Sequence, residues 1–327
     1  MLCIIGGGPA CISLLCCFIR TGIFDTMKDS IIVFEASGSF GSGALKEYHI
    51  RSNSSLKSIV KVLPDIVFET LSDKTKQLIE SIGNDVCYLP IVAGILEEAG
   101  EFFKRRIDIR LNTRVIEISA NSVKTASYIT EADKIICTNG GFQTTSNISS
   151  MSYLTGKNTV QSHKNILIIG GSHSAWSVAW KLVMNNHTGK IIICSRHRPR
   201  IFCQNDKEAK TIGFEDYDDK DKCPVTKQIF RFAGLRGDAK QLWLNRSIYN
   251  IDVVNKMPDG DFIRILAYGY KPNHINGIEH SIRFGFMSNA YEPSGETSFT
   301  KSKDGIWIYG NTMGELFVKK HFKQYIR

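Results

Sequence analysis

The chain has 327 residues, a formal net charge of +9, and an ordinary globular composition of 43% hydrophobic and 22% charged residues. At about 150 residues per domain, this length predicts two domains, each large enough to bury a core. No run reaches the roughly 18 consecutive apolar residues of a membrane span. Met1 stands directly before a core-like strand, which leaves no room for a leader peptide. We therefore expect a cytoplasmic protein with no membrane partner.

The cysteine and charge patterns argue against three further kinds of function. The nine cysteines include no C-x-x-C pair and no metal-ligand spacing, so the sequence predicts neither a paired-thiol reductase nor a metal site. The basic residues are spread along the chain without an Arg/Lys tract, which argues against nucleic acid as a partner. The favoured interpretation is a solvated basic surface that also suits a phosphorylated cofactor.

The first dozen residues carry the most informative motif. The apolar run Leu2–Ile5 leads into Gly6-Gly7-Gly8-Pro9-Ala10 and then into a helix-like stretch. In a dinucleotide-binding unit, Gly6 permits the tight turn and Gly8 lets the backbone approach a pyrophosphate at the helix N-terminus. Cys11 stands in the place of the third glycine, so this motif alone is weakly specific.

The next segments favour the same interpretation. The strand-like run Ile31–Phe34 ends in Glu35, where such units hold a ribose hydroxyl. The glycine- and serine-rich loop Ala36–Leu45 suits a cover over an adenosine or a flavin. For Ser52 and Asn53 two interpretations are open: they contact the polar edge of a bound ring, or one of them is the N-cap of a helix.

Helix and strand patterns complete the first half. Residues 65–104 have helical apolar spacing, which predicts a helical cap over the first site. Short strands follow, and Ala132–Cys137 leads to Gly140-Gly141, a pattern typical of a return to the nucleotide-binding sheet. The polar stretch Gln143–Asn165 is the expected linker.

A second glycine turn opens a second unit. Ile166–Ile169 precedes Gly170-Gly171-Ser172-His173-Ser174-Ala175, and the next strand, Ile191–Cys194, ends in Ser195-Arg196-His197-Arg198 instead of an acid. Guanidinium groups bind a phosphate with charge-assisted hydrogen bonds, so Arg196 and Arg198 predict NADPH over NADH. The alternative is that both are ordinary surface charges.

The last third is less regular. Glu215–Asp221 is an acidic run, interpreted as a solvated loop. Ile263–Asn273 is a strand with a Pro-Asn turn and marks the return from the second unit to the first. A final strand ends at Gly310, and Asn311 precedes a helix whose N-terminus suits the ribityl and pyrimidine end of a flavin.

Together these motifs define a family resemblance. The chain resembles FAD/NAD(P)-dependent oxidoreductases with two dinucleotide-binding domains, most of all the flavin-dependent monooxygenases of the N-hydroxylating type. The matching stretches are the first glycine turn with Glu35, Ser52–Lys57, the second glycine turn, Ala267–Tyr270 and Gly310-Asn311. The resemblance implies an α/β fold with two Rossmann-like domains, the NADPH domain inserted into the FAD domain. The expected FAD domain covers residues 1–160 and 259–327, and the expected NADPH domain residues 161–258.

The resemblance also implies a mechanism. NADPH would pass a hydride to FAD, and the reduced flavin would take up O2 as a C4a-peroxide that oxygenates a small amine or sulfur nucleophile. Asn53 is the candidate catalytic residue near the flavin. The cofactor-binding candidates are Gly6, Gly8, Pro9, Ala10, Glu35, Ser52, Gly140, Gly170, Gly171, Ser172, His173, Ser174, Arg196, Arg198, Gly310 and Asn311. Tyr88, His173 and Arg236 are polar candidates for a substrate-facing surface.

Two other functions stay open. An NADPH-dependent flavin reductase that delivers electrons to a protein acceptor would use the same cofactors, and the compact length favours it. A non-catalytic redox sensor that binds FAD or NADPH would account for Cys11 and Ala175 in place of the third glycines. Homo-oligomerisation is left open.

Overall fold

The computed structural model describes residues 1–52, 54–142, 147–222, 227–230, 234–268, 271–272, 275–284, 290–291 and 311–326. In chain order its strands are β1 (Leu2–Ile5), β2 (Ile31–Phe34), β3 (Asp108–Arg110), β4 (Val115–Ile118), β5 (Ser122–Thr125), β6 (Ile129–Glu131), β7 (Lys134–Cys137), β8 (Gly141–Phe142), β9 (Ile148–Ser149), β10 (Ile166–Ile169), β11 (Ile191–Cys194), β12 (Ile251–Val254), β13 (Ile263–Leu266), β14 (Lys271–Pro272), β15 (Ile282–Phe284) and β16 (Ala290–Tyr291). Its helices are α1 (Pro9–Arg20), α2 (Phe24–Met27), α3 (Leu56–Val60), α4 (Asp65–Phe68), α5 (Asp73–Ile82), α6 (Leu89–Lys104), α7 (Ser150–Leu154), α8 (His173–Met184), α9 (Asp206–Thr211), α10 (Gly237–Leu244) and α11 (Asn311–His321).

The chain divides into two compact units. The first comprises Met1–Lys46, Ser55–Gly141 and Pro272–Arg327, and the second comprises Glu47–Ser54 and Phe142–Lys271. The second unit is therefore an insertion into the first, and the chain passes between them within β8 and again within β14. These boundaries differ from the expected ones at 160 and 259, because β9 and β13 pair within the sheet of the second unit.

The first unit is built on a six-stranded sheet of order β16-β15-β7-β1-β2-β3. All its neighbours are parallel except β16, which is antiparallel to β15. Both faces of the sheet are covered, which explains why β1 and β2 are apolar at every position. Leu2 and Ile4 pack with the helices on one face, whereas Cys3 and Ile5 pack with the antiparallel β4-β5-β6 sheet on the other.

The helices of the first unit gather around α1. Nine of its twelve residues are buried, and α6 and α11 pack against it. The first and last parts of the chain meet here, since the rings of Phe18 and Phe322 lie 5.1 Å apart, edge to face. The helical pattern predicted for residues 65–104 is confirmed as α4, α5 and α6.

The second unit has a five-stranded, all-parallel sheet of order β12-β11-β10-β13-β9. The predicted linker Gln143–Asn165 is wrong in part, because it contains β9 and α7. Ser149 is the N-cap of α7. Its side chain accepts a hydrogen bond from the Ser152 amide, and the Ser152 hydroxyl accepts one from the Ser149 amide. This capping box lets a serine-rich stretch start a helix.

The structure also bears on four features of the sequence: possible membrane spans, metal sites, the cysteines and the acidic run. In the described part of the chain, no single helix has the length and apolar character of a membrane span, and only α1 taken with Phe24–Ser30, across a 110° bend, reaches both. The described residues contain no cluster of three or more metal-ligating side chains. The eight described cysteines are free and buried. The acidic run includes a short turn at Asp219–Asp221, where Lys222 pairs with Asp206 and Asp219.

Candidate cofactor-binding sites

The first glycine turn joins β1 to α1 in the first unit. Gly6 has φ +99°, and a Cβ added there would lie 2.7 Å from the Asn139 Cα, so only glycine fits. Gly8 is the N-cap of α1 and Pro9 is at the first helical position, with no acidic side chain in the first turn. The amides and the positive dipole end of α1 therefore suit a phosphate. Ala10 and Cys11 are buried beneath this turn, and burial raises the pKa of the Cys11 thiol.

Glu35 fixes the shape of this turn. Its carboxylate accepts hydrogen bonds from the Gly7 amide at 2.5 Å and from the Ser37 amide at 2.7 Å. Each carboxylate oxygen has two acceptor positions, so ribose hydroxyls can still bind to it. The predicted ribose-binding acid thus also holds together the turn on which the ribose would lie.

Two side chains that the sequence analysis did not single out, those of Thr138 and Phe40, support the turn from two sides. The Thr138 hydroxyl at the end of β7 donates to the carbonyl oxygen of Gly6, and Gly140 follows in an exposed, left-handed conformation with φ +64°. The Gly41 amide donates to the Gly7 carbonyl at 2.7 Å, which places the glycine- and serine-rich loop against the turn. The Phe40 ring fills the space beside Gly7. In the sequence, the packing of this loop against the turn is indicated by the repeated glycine of the loop.

A charged network holds the same loop. The Ser42 hydroxyl donates to Glu97 at 2.5 Å, and the Lys46 ammonium donates to the same oxygen at 3.1 Å. Burial raises the pKa of Glu97, but these two hydrogen bonds outweigh it and keep the pKa below its usual value. The carboxylate is therefore ionised at neutral pH and anchors the loop to α6.

The segment around Asn53 belongs to the second unit. Asn53 itself lies outside the described residues. Ser52 is buried, and its hydroxyl donates to the Ser54 carbonyl at 2.6 Å. The N-cap of α3 is Ser55, which accepts from the Ser58 amide, so the hypothesis that Ser52 or Asn53 caps the helix is wrong. Gly310 also lies outside the described residues, and Asn311 is the first residue of α11.

The second glycine turn joins β10 to α8. Gly170 has φ +132°, and a Cβ there would overlap the Ala267 carbonyl oxygen, while a Cβ on Gly171 would overlap the Ser195 hydroxyl. Ser172 is the N-cap of α8 and makes no side-chain capping bond, and the first turn, which contains His173 and Ser174, has no acid. This turn therefore also presents a helix N-terminus suited to a phosphate.

The two units differ at the end of the second strand. In the first unit β2 is followed by Glu35, whereas in the second unit β11 is followed by Arg196 and Arg198, both exposed. Neither arginine forms an ion pair with another residue in the described ranges. The Ser195 hydroxyl donates to the His197 carbonyl at 2.8 Å and shapes the loop that carries them.

A small pocket lies within the second unit, against the flank of α8. Its lining consists of Ile50, Arg51, Ser52, His173, Ser177, Trp180, Arg236, Asp238 and Ala239. Burial, with a smaller contribution from Arg236, lowers the pKa of His173, so its imidazole is neutral at pH 7. Two of the three candidate substrate-facing residues, His173 and Arg236, therefore meet at one pocket, whereas Tyr88 belongs to the first unit.

This geometry defines a class of fold: two Rossmann-like units, one inserted into the other, each with a glycine turn before a helix N-terminus. No protein-family model matches the chain. A curated relative, the CMP-5'-(3-aminopropyl)phosphonate hydroxylase of Streptomyces rubellomurinus, is 26% identical over 307 residues, covering 79% of this chain and 69% of the relative.

Solved structures share the fold over most of the chain. The L-lysine 6-monooxygenase of Pseudomonas syringae matches with a TM-score of 0.62 and 13% identity, covering 100% of this chain and 99% of its own. The FAD-bound cadaverine monooxygenase of the desferrioxamine pathway from Erwinia amylovora matches with a TM-score of 0.59 and 13% identity, covering 85% of this chain and 80% of its own. The bacillithiol disulfide reductase of Staphylococcus aureus also shares the fold, with a TM-score of 0.53 and 12% identity. The predicted α/β architecture is thus confirmed.

Proposed function

We propose that this protein is an FAD-dependent, NADPH-using monooxygenase that hydroxylates a primary amine. The observation that carries the proposal is the similarity to an aminopropylphosphonate hydroxylase across 79% of the chain. The overall reaction is R–NH2 + O2 + NADPH + H⁺ → R–NHOH + H2O + NADP⁺. The fold alone does not choose this chemistry, because a bacillithiol disulfide reductase shares it.

The residues of the first unit fit FAD. The turn Gly6–Gly8 and the uncapped N-terminus of α1 offer amides to the pyrophosphate, and Glu35 offers acceptors to the adenosine ribose. A side chain at position 7 would collide with the Phe40 ring, and one at position 8 would press against Gly43. Backbone atoms therefore line this surface. Gly140 and the Gly310-Asn311 pair are the further candidates for the flavin end.

The residues of the second unit fit NADPH. Gly170, Gly171 and the N-terminus of α8 suit the pyrophosphate, and exposed Arg196 and Arg198 suit the 2′-phosphate. An acid at the position of Arg196 would repel that phosphate, as Glu35 would in the first unit. The choice of NADPH over NADH thus depends on two side chains.

The protein's own groups bind and orient, while bound FAD supplies the hydride acceptance from NADPH and the activation of O2. Asn53 is the proposed hydrogen-bonding side chain beside the flavin. Neutral His173 stays uncharged next to Arg236, so the pocket does not gain a further positive charge at neutral pH.

The amine class follows from the named substrates of the reported proteins. An aminopropylphosphonate, L-lysine and cadaverine each carry a primary amine at the end of an alkyl chain. This shared group favours an amine over the sulfur nucleophile that the sequence left open.

The test is a product assay. The purified protein, reconstituted with FAD, is given NADPH, air and CMP-5'-(3-aminopropyl)phosphonate, L-lysine or cadaverine, and mass spectrometry follows a gain of one oxygen. The fully N-acetylated form of each amine serves as the matched control, since the lone pair of an amide nitrogen is delocalised and does not accept the oxygen. Hydroxylamine formation at one molecule per NADPH supports the proposal. NADPH oxidation that yields no oxygenated amine supports the flavin reductase, and a flavin that NADPH does not reduce supports the redox sensor.

A further inference from the structure

The small pocket beside α8 lies entirely within the second unit. Its walls are Ile50–Ser52, the first two turns of α8 and the start of α10, all of which belong to that unit. We call it the α8–α10 pocket. His173 is the first residue of α8, and Ser177 and Trp180 follow one and two turns later on the same flank of the helix. The pocket therefore begins at the helix N-terminus that suits the pyrophosphate of NADPH.

Two buried polar atoms in the lining lack a partner. The His173 Nε2 and the Asp238 Oδ2 are buried and have no hydrogen-bond partner among the described residues. The other atoms of these two groups are engaged, since the His173 Nδ1 lies 3.2 Å from the Ser177 hydroxyl and the Asp238 Oδ1 lies 3.8 Å from the Arg51 guanidinium. A buried polar atom without a hydrogen bond is costly. The pocket thus favours a ligand that donates to Oδ2 and forms a hydrogen bond with Nε2.

The charges of the lining narrow the class of ligand. Arg51 and Arg236 are cationic and Asp238 is their acidic neighbour, whereas His173 is neutral because burial lowers its pKa. The Arg236 guanidinium lies over the Phe202 ring, 3.8 Å from its centroid. The two guanidinium groups repel a further cation, and the carboxylate repels an anion placed at Oδ2. An uncharged group with two neighbouring hydroxyls meets neither repulsion.

A ribose cis-diol has the required chemistry. Each of its hydroxyls is both a donor and an acceptor, so one can donate to the Asp238 carboxylate while the other bonds to the His173 Nε2 in either tautomer. The pocket is small, so it takes the hydroxyl edge of a sugar and not a whole nucleotide. In NADPH the adenosine ribose carries the 2′-phosphate, which leaves the nicotinamide ribose with the one cis-diol of the cofactor. That ribose is bonded directly to the pyrophosphate.

We propose that Asp238 and His173 form a binding site for the cis-diol of the nicotinamide ribose of NADPH. The inference rests on the proposed function, specifically on the assignment of NADPH to the second unit. Both residues bind the cofactor, and neither takes part in the transfer of the hydride or of oxygen. A free ribonucleotide has the same diol, so the experiment must separate these two sources.

The experiment is isothermal titration of the FAD-reconstituted protein with NADP⁺ and with adenosine 2′,5′-bisphosphate, without turnover. The bisphosphate keeps the adenine and the 2′-phosphate but has no cis-diol. Asp238→Ala and His173→Phe are each expected to weaken NADP⁺ binding about tenfold, the range for loss of a hydrogen bond to a buried polar group, and to leave the affinity for the bisphosphate unchanged. Asp252→Ala, which breaks the exposed Lys190–Asp252 pair at 2.7 Å in the same unit, is the matched control and is expected to bind both ligands as the wild type does.

The two ligands together distinguish a lost contact from a damaged domain. Retained binding of the bisphosphate shows that each variant keeps its nucleotide-binding fold. Unchanged NADP⁺ affinity in both variants overturns the diol site, and so does an equal loss for NADP⁺ and the bisphosphate. CMP, which has a cis-diol and no nicotinamide, tests the other source. If CMP binding depends on Asp238 while NADP⁺ binding does not, the pocket serves a free ribonucleotide and the assignment to NADPH is wrong.

Failure of the proposed function gives a different pattern. A wild type that binds NADP⁺ through Asp238 and His173 but hydroxylates none of the three amines overturns the hydroxylase and supports the diol site. A wild type that binds neither NADP⁺ nor the bisphosphate overturns the assignment of NADPH to the second unit, and the diol site with it.

Discussion

Replacing Arg196 and Arg198 together by alanine is expected to abolish the preference for NADPH over NADH. Both guanidinium groups are exposed at the end of β11, and neither is engaged in an ion pair within the described chain. Their positive charge is therefore available to the 2′-phosphate, the group that distinguishes the two nucleotides. The substitution removes charge from a surface loop and leaves the glycine turn and α8 intact.

The magnitude follows from the exposure of the two side chains. A hydrogen bond to a charged group contributes about 1.5–3 kcal/mol, and water and salt put these exposed arginines near the lower end. About 1.5 kcal/mol for each arginine is about tenfold in affinity, so the double variant is expected to bind NADPH about 100-fold more weakly. The affinity for NADH is expected to stay the same, because NADH has no 2′-phosphate.

The assay is anaerobic stopped-flow reduction of the bound flavin over a range of NADPH and NADH concentrations. The KM for NADPH is expected to rise about 100-fold in the double variant and about tenfold in each single variant. Lys207→Ala, which removes an exposed charge from α9 of the same unit, serves as the control. If the ratio of the KM for NADPH to the KM for NADH is unchanged in the double variant, these arginines do not bind the 2′-phosphate. They are then ordinary surface charges.

Three further outcomes test other parts of the structure. Gly6→Ala places a side chain on a residue with φ +99° and is expected to lower the free energy of unfolding by about 1–3 kcal/mol. Gly94→Ala, in open space on α6, is expected to raise it by about 0.5–1 kcal/mol. Thermal denaturation that shifts in the same direction for both variants would contradict this explanation. Glu35→Gln loses an acceptor of a backbone hydrogen bond and is expected to weaken FAD binding at least about tenfold in a fluorescence titration, and unaltered affinity would remove Glu35 from the site. Because burial lowers the pKa of His173, its imidazole binds a proton more tightly in the unfolded chain than in the folded one. The wild type is therefore expected to lose stability as the pH falls below about 6.5, and His173→Gln is expected to lose less. An equal loss of stability in both proteins from pH 7 to 5.5 would contradict this.

The glycine turns could be predicted because their signals are local. In each unit an apolar strand, a glycine that needs positive φ and a helix follow within a dozen residues, and the structure places Gly6 and Gly170 accordingly. The position of Glu35 could be predicted for the same reason. The apolar run Ile31–Phe34 marks the length of β2, and Glu35 is the first residue after its carboxyl end. Local pattern and tertiary packing agree at these positions.

The missed features depend on contacts that are distant in sequence. The Arg51–Asp238 pair joins residues 187 positions apart in numbering, and no local pattern indicates that residues 47–54 pack with the second unit. Helix α7 was missed for a different reason. Its serine-rich start resembles a linker, and only the reciprocal hydrogen bonds of Ser149 and Ser152 show that these hydroxyls cap a helix.

The packing of α11 on α1 has a consequence for how the chain folds during its synthesis. The apolar face of α1, including Phe18, is covered in part by Phe322, and about 300 residues must be translated between the two. At about 5–20 residues per second, this interval lasts about 15–60 seconds. During that time α1 already has α6 against it, but the face that α11 covers stays without its partner until α11 is made. Until then this part of the apolar face of α1 is accessible to chaperones that bind exposed apolar helices.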